Sequence, residues 1–129
     1  MLAEWLEAHS PPVPTYQNQP LGPPVGFGFT GVNPRVDALK ILPDQVILIE
    51  GEVDNPSEAI GQLLIYRWLF RQTPKFSAHH DKPVRTILVV PRPIGILAEF
   101  CKLAEIEVHI QPSPWLTEYL LSGTMREAP

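Results

Sequence analysis

The chain has 129 residues, of which 44% are apolar, and this size and composition predict one domain over 1–129 with one hydrophobic core. The formal charge of −4 argues against a uniformly basic surface for nucleic acid and leaves that role to local clusters. A single cysteine, Cys101, excludes an internal disulfide, and no zinc-ligand spacing is present. The acidic start and the lack of a long apolar run predict neither a signal peptide nor a membrane span, so we expect a cytoplasmic protein.

The first predicted elements are an N-terminal helix and a proline- and glycine-rich segment. Segment 11–34 holds seven of the 16 prolines and four glycines, so it cannot be helical. Its strand-forming side chains favour one or two edge strands, where proline is tolerated. These side chains are Tyr16, Val25, Phe27 and Phe29.

Two β-rich runs, 35–41 and 45–53, come next and predict a hairpin. The residues between them are Leu42-Pro43-Asp44-Gln45, and a Pro-Asp pair at the centre is typical of a type I turn. The hairpin would therefore supply two neighbouring antiparallel strands of a sheet.

A helix follows the hairpin. Asn55 is a typical N-cap residue, Pro56 suits the first helical position and Glu58 completes a capping box, so the helix should begin here and run to about Arg71. The polar residues 72–84 that follow predict an exposed loop.

The last part of the chain predicts a β-α-β unit. Run 86–90 is apolar on both faces, which is typical of a central parallel strand. A helix at about 94–105 and a strand at 106–110 should follow it, and 115–121 should form a short closing helix. The predicted fold class is therefore α/β, with a mixed central sheet flanked by helices in the order α-β-β-β-α-β-α-β.

The hairpin also predicts a group of acidic side chains. If the turn is symmetric, Asp37 lies opposite Glu50 and Arg35 lies opposite Glu52, and the two-residue period of strands puts all four on one face. Directly opposed side chains lie about 4.5–5.5 Å apart at Cβ. Asp37, Glu50 and Glu52 would then form an acidic triangle with one arginine at its edge.

Such a triangle needs positive charge. Two carboxylates about 5 Å apart repel by roughly 3 kcal/mol at an effective dielectric constant of 20, so a third acid requires a proton or a nearby cation. Oxygen ligands suit Mg²⁺ or Mn²⁺, which phosphodiester hydrolysis uses to activate water. The alternative is that Arg35 pairs with Glu52 and the other acids are solvated.

Two polar side chains lie one turn apart on the predicted helix after the hairpin. Gln62 and Tyr66 share a face with Ala59, directly downstream of the acidic strand. An amide and a hydroxyl could orient a carboxylate, a water or a phosphate. They could equally have structural roles, with the tyrosine ring buried and the glutamine bonded to backbone.

Basic residues are concentrated in the middle of the chain, where six of the ten Lys and Arg fall between positions 67 and 92. This cluster could contact a phosphate backbone or be solvated surface. We take Arg67, Arg71 and Lys75, with Arg35, as candidate nucleic-acid contacts. Exposed residues among Trp5, Trp68 and Trp115 could supply a homo-oligomeric interface.

These motifs together resemble the PD-(D/E)XK nuclease superfamily. Asp37 is followed after twelve residues by Glu50-Gly51-Glu52 at the end of an apolar strand, and Gln62 and Tyr66 match the QxxxY helix motif of the RecB-like branch. The predicted order of elements is similar as well, over about 30–110. The resemblance implies a restriction-endonuclease-like fold and a Mg²⁺- or Mn²⁺-dependent nuclease acting on DNA. Asp37 and Glu50 would be metal ligands, and Gln62 and Tyr66 would be supporting groups.

One residue departs from the family pattern. The lysine that usually stands two residues after the glutamate is Glu52 here. Glu52 could act as a third metal ligand, and Arg35 or Arg67 could replace the missing positive charge. The alternative is a catalytically inactive binding or assembly module that keeps the nuclease fold.

Overall fold

A computed structural model describes residues 1–9, 13–24 and 33–112. Its helices are α1 (Leu2–Ala8), α2 (Pro56–Phe70) and α3 (Leu97–Leu103), with a 3-10 helix at Pro74–His79. The strands are β1 (Thr15–Pro20), β2 (Arg35–Ile41), β3 (Val46–Gly51), β4 (Val84–Val90) and β5 (Ile106–Ile110).

All five strands belong to one sheet in the order β1-β2-β3-β4-β5. The first three strands pair antiparallel, and β3, β4 and β5 pair parallel. The predicted α/β class, with a mixed sheet flanked by helices, is therefore confirmed. Within the described residues, no helix is long and apolar enough to cross a membrane.

The hairpin between β2 and β3 has the predicted register. Ile41 pairs with Val46 and Ala38 with Ile49, so the turn is symmetric. The Leu42 N–H donates to the Gln45 carbonyl at 2.8 Å and closes the turn. The register matters for function because Asp37 and Glu50 are the residues directly beyond the last pair, Ala38 and Ile49.

The sheet separates two apolar clusters. The larger cluster joins β2, β3 and β4 to α2 and α3, and its centre includes Leu39, Leu48, Leu63 and Leu88. The smaller cluster lies on the opposite face, where Trp5 and other residues of α1 pack against strand side chains. β3 and β4 are covered on both faces, which explains why their sequences are continuous hydrophobic runs.

The start of α2 follows the predicted capping box. The Asn55 side-chain oxygen accepts from the Glu58 N–H at 3.2 Å, and the Asn55 amide donates to the Glu58 carboxylate at 3.1 Å. We expect Asn55→Ala to lower the free energy of unfolding by about 1 kcal/mol, measured by urea denaturation, because the N–H loses its acceptor. The neighbouring Asp54→Ala is the control and should change it by less than about 0.5 kcal/mol. Equal losses in both variants would contradict the capping role.

Segment 72–84 differs from the predicted exposed loop. It contains the 3-10 helix, and Phe76 is buried, with its ring stacked on Phe70 at 5.6 Å between centroids. Thr73 is also buried and accepts from the Gly22 N–H at 2.8 Å. One apolar residue in a polar run has no periodicity, so its burial depends on tertiary packing.

α3 is shorter than the predicted helix at 94–105. Gly95 has a φ of +61°, a left-handed conformation that ends helical geometry and that glycine adopts at no steric cost. The helix therefore begins only at Leu97. The predicted helix at 115–121 and the strand formers Val25, Phe27 and Phe29 lie outside the described residues.

Of the tryptophans considered for an interface, Trp5 is buried against the sheet and Trp68 is 59% exposed on α2. Trp115 lies outside the described residues. Trp68 thus remains the accessible candidate, and a homo-oligomer remains a prediction.

Candidate active site

The two antiparallel central strands stop pairing where the acidic side chains begin. The β2–β3 ladder ends at Ala38 and Ile49. Beyond this point β2 continues to pair with β1, and β3 continues to pair with β4 through Glu50 and Gly51. The backbone groups of Asp37 and Gly51 that would extend the ladder are therefore open to other partners.

Carboxylates take these backbone partners. The Gly51 N–H donates to Asp37 Oδ2 at 2.9 Å, and the Asp37 N–H donates to Glu50 Oε1 at 2.9 Å. The two carboxyls are also close enough to share a hydrogen bond with each other. The predicted convergence of Asp37 and Glu50 is thus present, and backbone amides hold both side chains in place.

Glu50 is the more buried of the two acids, with 6% of its surface exposed. Burial raises the pKa of Glu50 to about 8, and the negative charges of Asp37 and Glu52 add to the increase, whereas the hydrogen bond from the Asp37 amide opposes it. Near neutral pH the carboxyl pair therefore retains a proton when no cation is bound.

The donor set fits a hard divalent cation. Asp37 and Glu50 offer carboxylate oxygens, the ligands that suit Mg²⁺ and Mn²⁺. In the described part of the chain, no Lys, Arg or His forms an ion pair with either carboxyl. The repulsion within the pair is thus not offset by an ion pair with any cation of the described residues.

Glu52 does not complete the predicted triangle. β3 ends at Gly51, and the Glu52 N–H donates to the Val89 carbonyl at 2.9 Å. The Glu52 carboxylate accepts from the Asn55 N–H at 2.8 Å, in the loop before α2. Across residues 1–9, 13–24 and 33–112, no three His, Cys, Asp or Glu side chains are placed to share a metal ion. The structure therefore shows an acidic pair, with Glu52 beside it.

Arg35 is not opposite Glu52, contrary to the register prediction. Arg35 pairs with Pro20 of β1, and the Arg35 guanidinium donates to the Asn18 carbonyl at 3.0 Å. The ion pairs among the described residues do not include one between Arg35 and Glu52. The prediction fails because β2 and β3 no longer pair beyond Ala38 and Ile49.

The QxxxY residues of α2 differ in their contacts, and only Tyr66 is shown to lie near the acids. Tyr66 is buried, and its hydroxyl donates to the Arg35 carbonyl at 3.1 Å. Burial, followed by the charges of Glu50 and Asp37, raises the pKa of Tyr66, so the phenol remains protonated near the carboxyls. Gln62, one turn earlier, is half-buried, and its amide has no hydrogen-bond partner among the described residues.

The predicted basic contacts do not gather around the acids. Arg67 donates to the Ala104 carbonyl, and Arg71 donates to the His80 and Lys82 carbonyls. These carbonyls precede β5 and β4, at the opposite end of the parallel strands from Glu50. Lys75 donates to the Gln19 side chain at 2.9 Å, at the β1 edge. Their role in nucleic-acid binding remains a prediction.

Arg92 belongs to the basic cluster predicted between positions 67 and 92 but was not among the candidate nucleic-acid contacts, and it lies two residues after the end of β4. It lines a cleft of about 210 Å³ together with Val53, Asp54 and Pro56. A signal was available, since the carboxyl ends of adjacent parallel strands meet at one edge of a sheet. Arg92 therefore lies at the same end of the parallel strands as Glu50.

The comparisons with known proteins support a nuclease-like fold. No protein-family model matches the chain, and a search of curated proteins gave no significant match. The structure is similar to the crystal structure of a repair endonuclease from Pyrococcus abyssi, with a TM-score of 0.57 and 15% sequence identity. The match covers 88% of this chain and 46% of that protein, so this chain spans less than half of its length.

Proposed function

We propose that the chain is a PD-(D/E)XK nuclease of the RecB-like branch, which hydrolyses phosphodiester bonds of DNA with Mg²⁺ or Mn²⁺ held by Asp37 and Glu50. The observation that supports this most is the backbone-anchored carboxyl pair, one member of which is nearly inaccessible to solvent and has no cationic partner in the described residues. The fold similarity to a repair endonuclease also supports it.

Each side chain has a defined part in this proposal. When bound, the cation would lower the pKa of a water and neutralise charge on the scissile phosphate. Asp37 and Glu50 would bind the cation, and their hydrogen bonds to backbone amides keep both carboxylates oriented. The Gln62 amide, which has no hydrogen-bond partner in the described part of the chain, could bind the phosphate or orient the attacking water. Tyr66 would position β2 through the Arg35 carbonyl.

Glu52 is the position at which the chain departs from the superfamily pattern. Its Oε1 accepts from the Asn55 N–H, so Oε2 is the oxygen left for a cation while that hydrogen bond is kept. That hydrogen bond, and the glutamate where the superfamily usually has lysine, favour a second candidate function: an inactive binding or assembly module. The two functions differ in chemistry, so one assay separates them.

The test is DNA cleavage by the purified chain. We expect linear and supercoiled DNA to be cut with Mg²⁺ or Mn²⁺, not with EDTA, and Asp37→Asn to reduce the rate at least about 100-fold because it removes a charged ligand. Asp44→Asn, an exposed acid in the hairpin turn, is the matched control and should cleave like wild type.

Calorimetry with Mn²⁺ completes the test. Binding to the wild type that Asp37→Asn abolishes, together with cleavage, supports the nuclease. Binding without cleavage supports the inactive module. Neither binding nor cleavage by the wild type would overturn the proposed metal site.

A further inference from the structure

The basic side chains of the described residues are mostly engaged within the chain. Seven donate hydrogen bonds to backbone or side-chain acceptors: Arg35, Lys40, Arg67, Arg71, Lys75, Lys82 and Arg85. Arg92 is exposed, and its guanidinium makes no hydrogen bond or ion pair with the described residues. It is therefore available to a ligand.

The position of Arg92 follows from strand pairing. Gly51 pairs with Val89, and the Glu52 N–H donates to the Val89 carbonyl. Arg92 stands three residues after Val89, at the carboxyl end of the strand next to the one that carries Glu50. Its cleft runs between the loop after Glu52 and the segment after β4.

The backbone around Arg92 is restricted. Pro91 and Pro93 have fixed φ angles, and a following proline disfavours helical geometry for Arg92 itself. The side chain is thus presented from a stiff segment, which lowers the entropy lost when it binds. A guanidinium offers paired N–H donors that match two phosphate oxygens.

We propose that Arg92 binds a backbone phosphate of the nucleic acid, adjacent to the phosphodiester bond at the Asp37–Glu50 pair. This inference rests on the proposed nuclease function for the identity of its ligand. Arg92, rather than Arg67 at the other end of the sheet, would then supply positive charge near the site. Asp54 lines the same cleft, and its negative charge repels a bound phosphate, so Asp54→Asn should strengthen DNA binding.

The experiment measures binding of a fluorescently labelled DNA duplex by anisotropy over a range of KCl concentrations. It uses the Glu50→Gln background, so that cleavage does not interfere. We expect Arg92→Ala to raise Kd about tenfold at low salt and to lower the slope of log Kd against log salt by about 0.9, the loss of one phosphate contact. Arg92→Lys should retain the slope.

Lys102→Ala is the matched control, because Lys102 is an exposed cation on α3 that has no partner among residues 1–9, 13–24 and 33–112. It should change neither Kd nor slope. The melting temperature of each variant, measured by circular dichroism, should equal that of the parent, since neither side chain packs in the core.

The outcomes separate this inference from the proposed function. If DNA binds and Arg92→Ala leaves both Kd and slope unchanged, or if DNA does not bind at all, the inference is wrong. If Arg92→Ala weakens DNA binding and lowers the salt slope but the wild type does not cleave DNA, the phosphate site is supported and the nuclease function is wrong. Cleavage with unchanged binding in Arg92→Ala overturns only the phosphate site.

Discussion

Glu50→Gln is expected to stabilise the metal-free protein and to abolish Mn²⁺ binding and DNA cleavage. The amide oxygen of glutamine can still accept from the Asp37 N–H, so the local geometry is kept. The substitution removes a buried negative charge and its repulsion with Asp37, which should raise the free energy of unfolding by a few kcal/mol at pH 8.5. It also removes a charged ligand, which should lower the cleavage rate at least about 10³-fold, or about 4 kcal/mol.

Urea denaturation in EDTA, Mn²⁺ calorimetry and a cleavage assay measure these three effects. Glu99→Gln is the matched control, since Glu99 is exposed on α3 and should affect none of them. A loss of stability in Glu50→Gln would contradict the argument, because it would mean that the Glu50 charge is favourable in the metal-free protein.

The stability of the metal-free wild type is expected to fall as pH rises from about 4.5 to about 8. The ordinary pKa of Glu50 is 4.5 and its folded pKa is about 8, so between these values the folded chain holds a proton that the unfolded chain has lost. Below this window Glu50 is protonated in both the folded and the unfolded chain, so its ionisation does not reduce the free energy of unfolding. Above it both are ionised, and the penalty reaches at most about 5 kcal/mol, at about 1.4 kcal/mol per pKa unit.

Urea denaturation in EDTA at several pH values measures this slope, and the same series on Glu50→Gln gives the background from all other groups. The difference between the two series should be small near pH 4 and largest above pH 8. Adding Mn²⁺ at pH 8.5 should reduce it, because a bound cation stabilises the ionised pair. A wild type that gains stability relative to Glu50→Gln as pH rises would contradict the assigned burial.

Local sequence signals were sufficient for the elements that lie near one another in the chain. The Pro-Asp turn determined the hairpin register, and the register brought Asp37 and Glu50 together. The Asn55-Pro56 start likewise predicted the beginning of α2. Turn and capping interactions span only a few residues, so they can be inferred without knowledge of distant contacts.

The predictions that were wrong assumed that strand pairing, or closeness in sequence, continues over longer distances in the folded chain. Glu52 and Arg35 would face each other only if β2 and β3 stayed paired, but beyond Ala38 and Ile49 each strand pairs only with its other neighbour. The basic cluster between positions 67 and 92 is continuous in sequence, yet the direction of α2 separates Arg71 from Arg92. Burial of Phe76 also depends on Phe70 and Tyr16, which lie on separate elements.

The amino-acid sequence by itself determined the α/β class, the hairpin and the meeting of two carboxylates, because strand alternation and turn geometry act over short separations. Only the tertiary structure decided that Glu52 accepts from the Asn55 N–H, that Arg67 and Arg71 bond to carbonyls at the opposite end of the parallel strands, and that Arg92 lines a cleft at the same end of those strands as Glu50. The physical reason is that these positions depend on how distant strands pair and where each helix returns along the sheet.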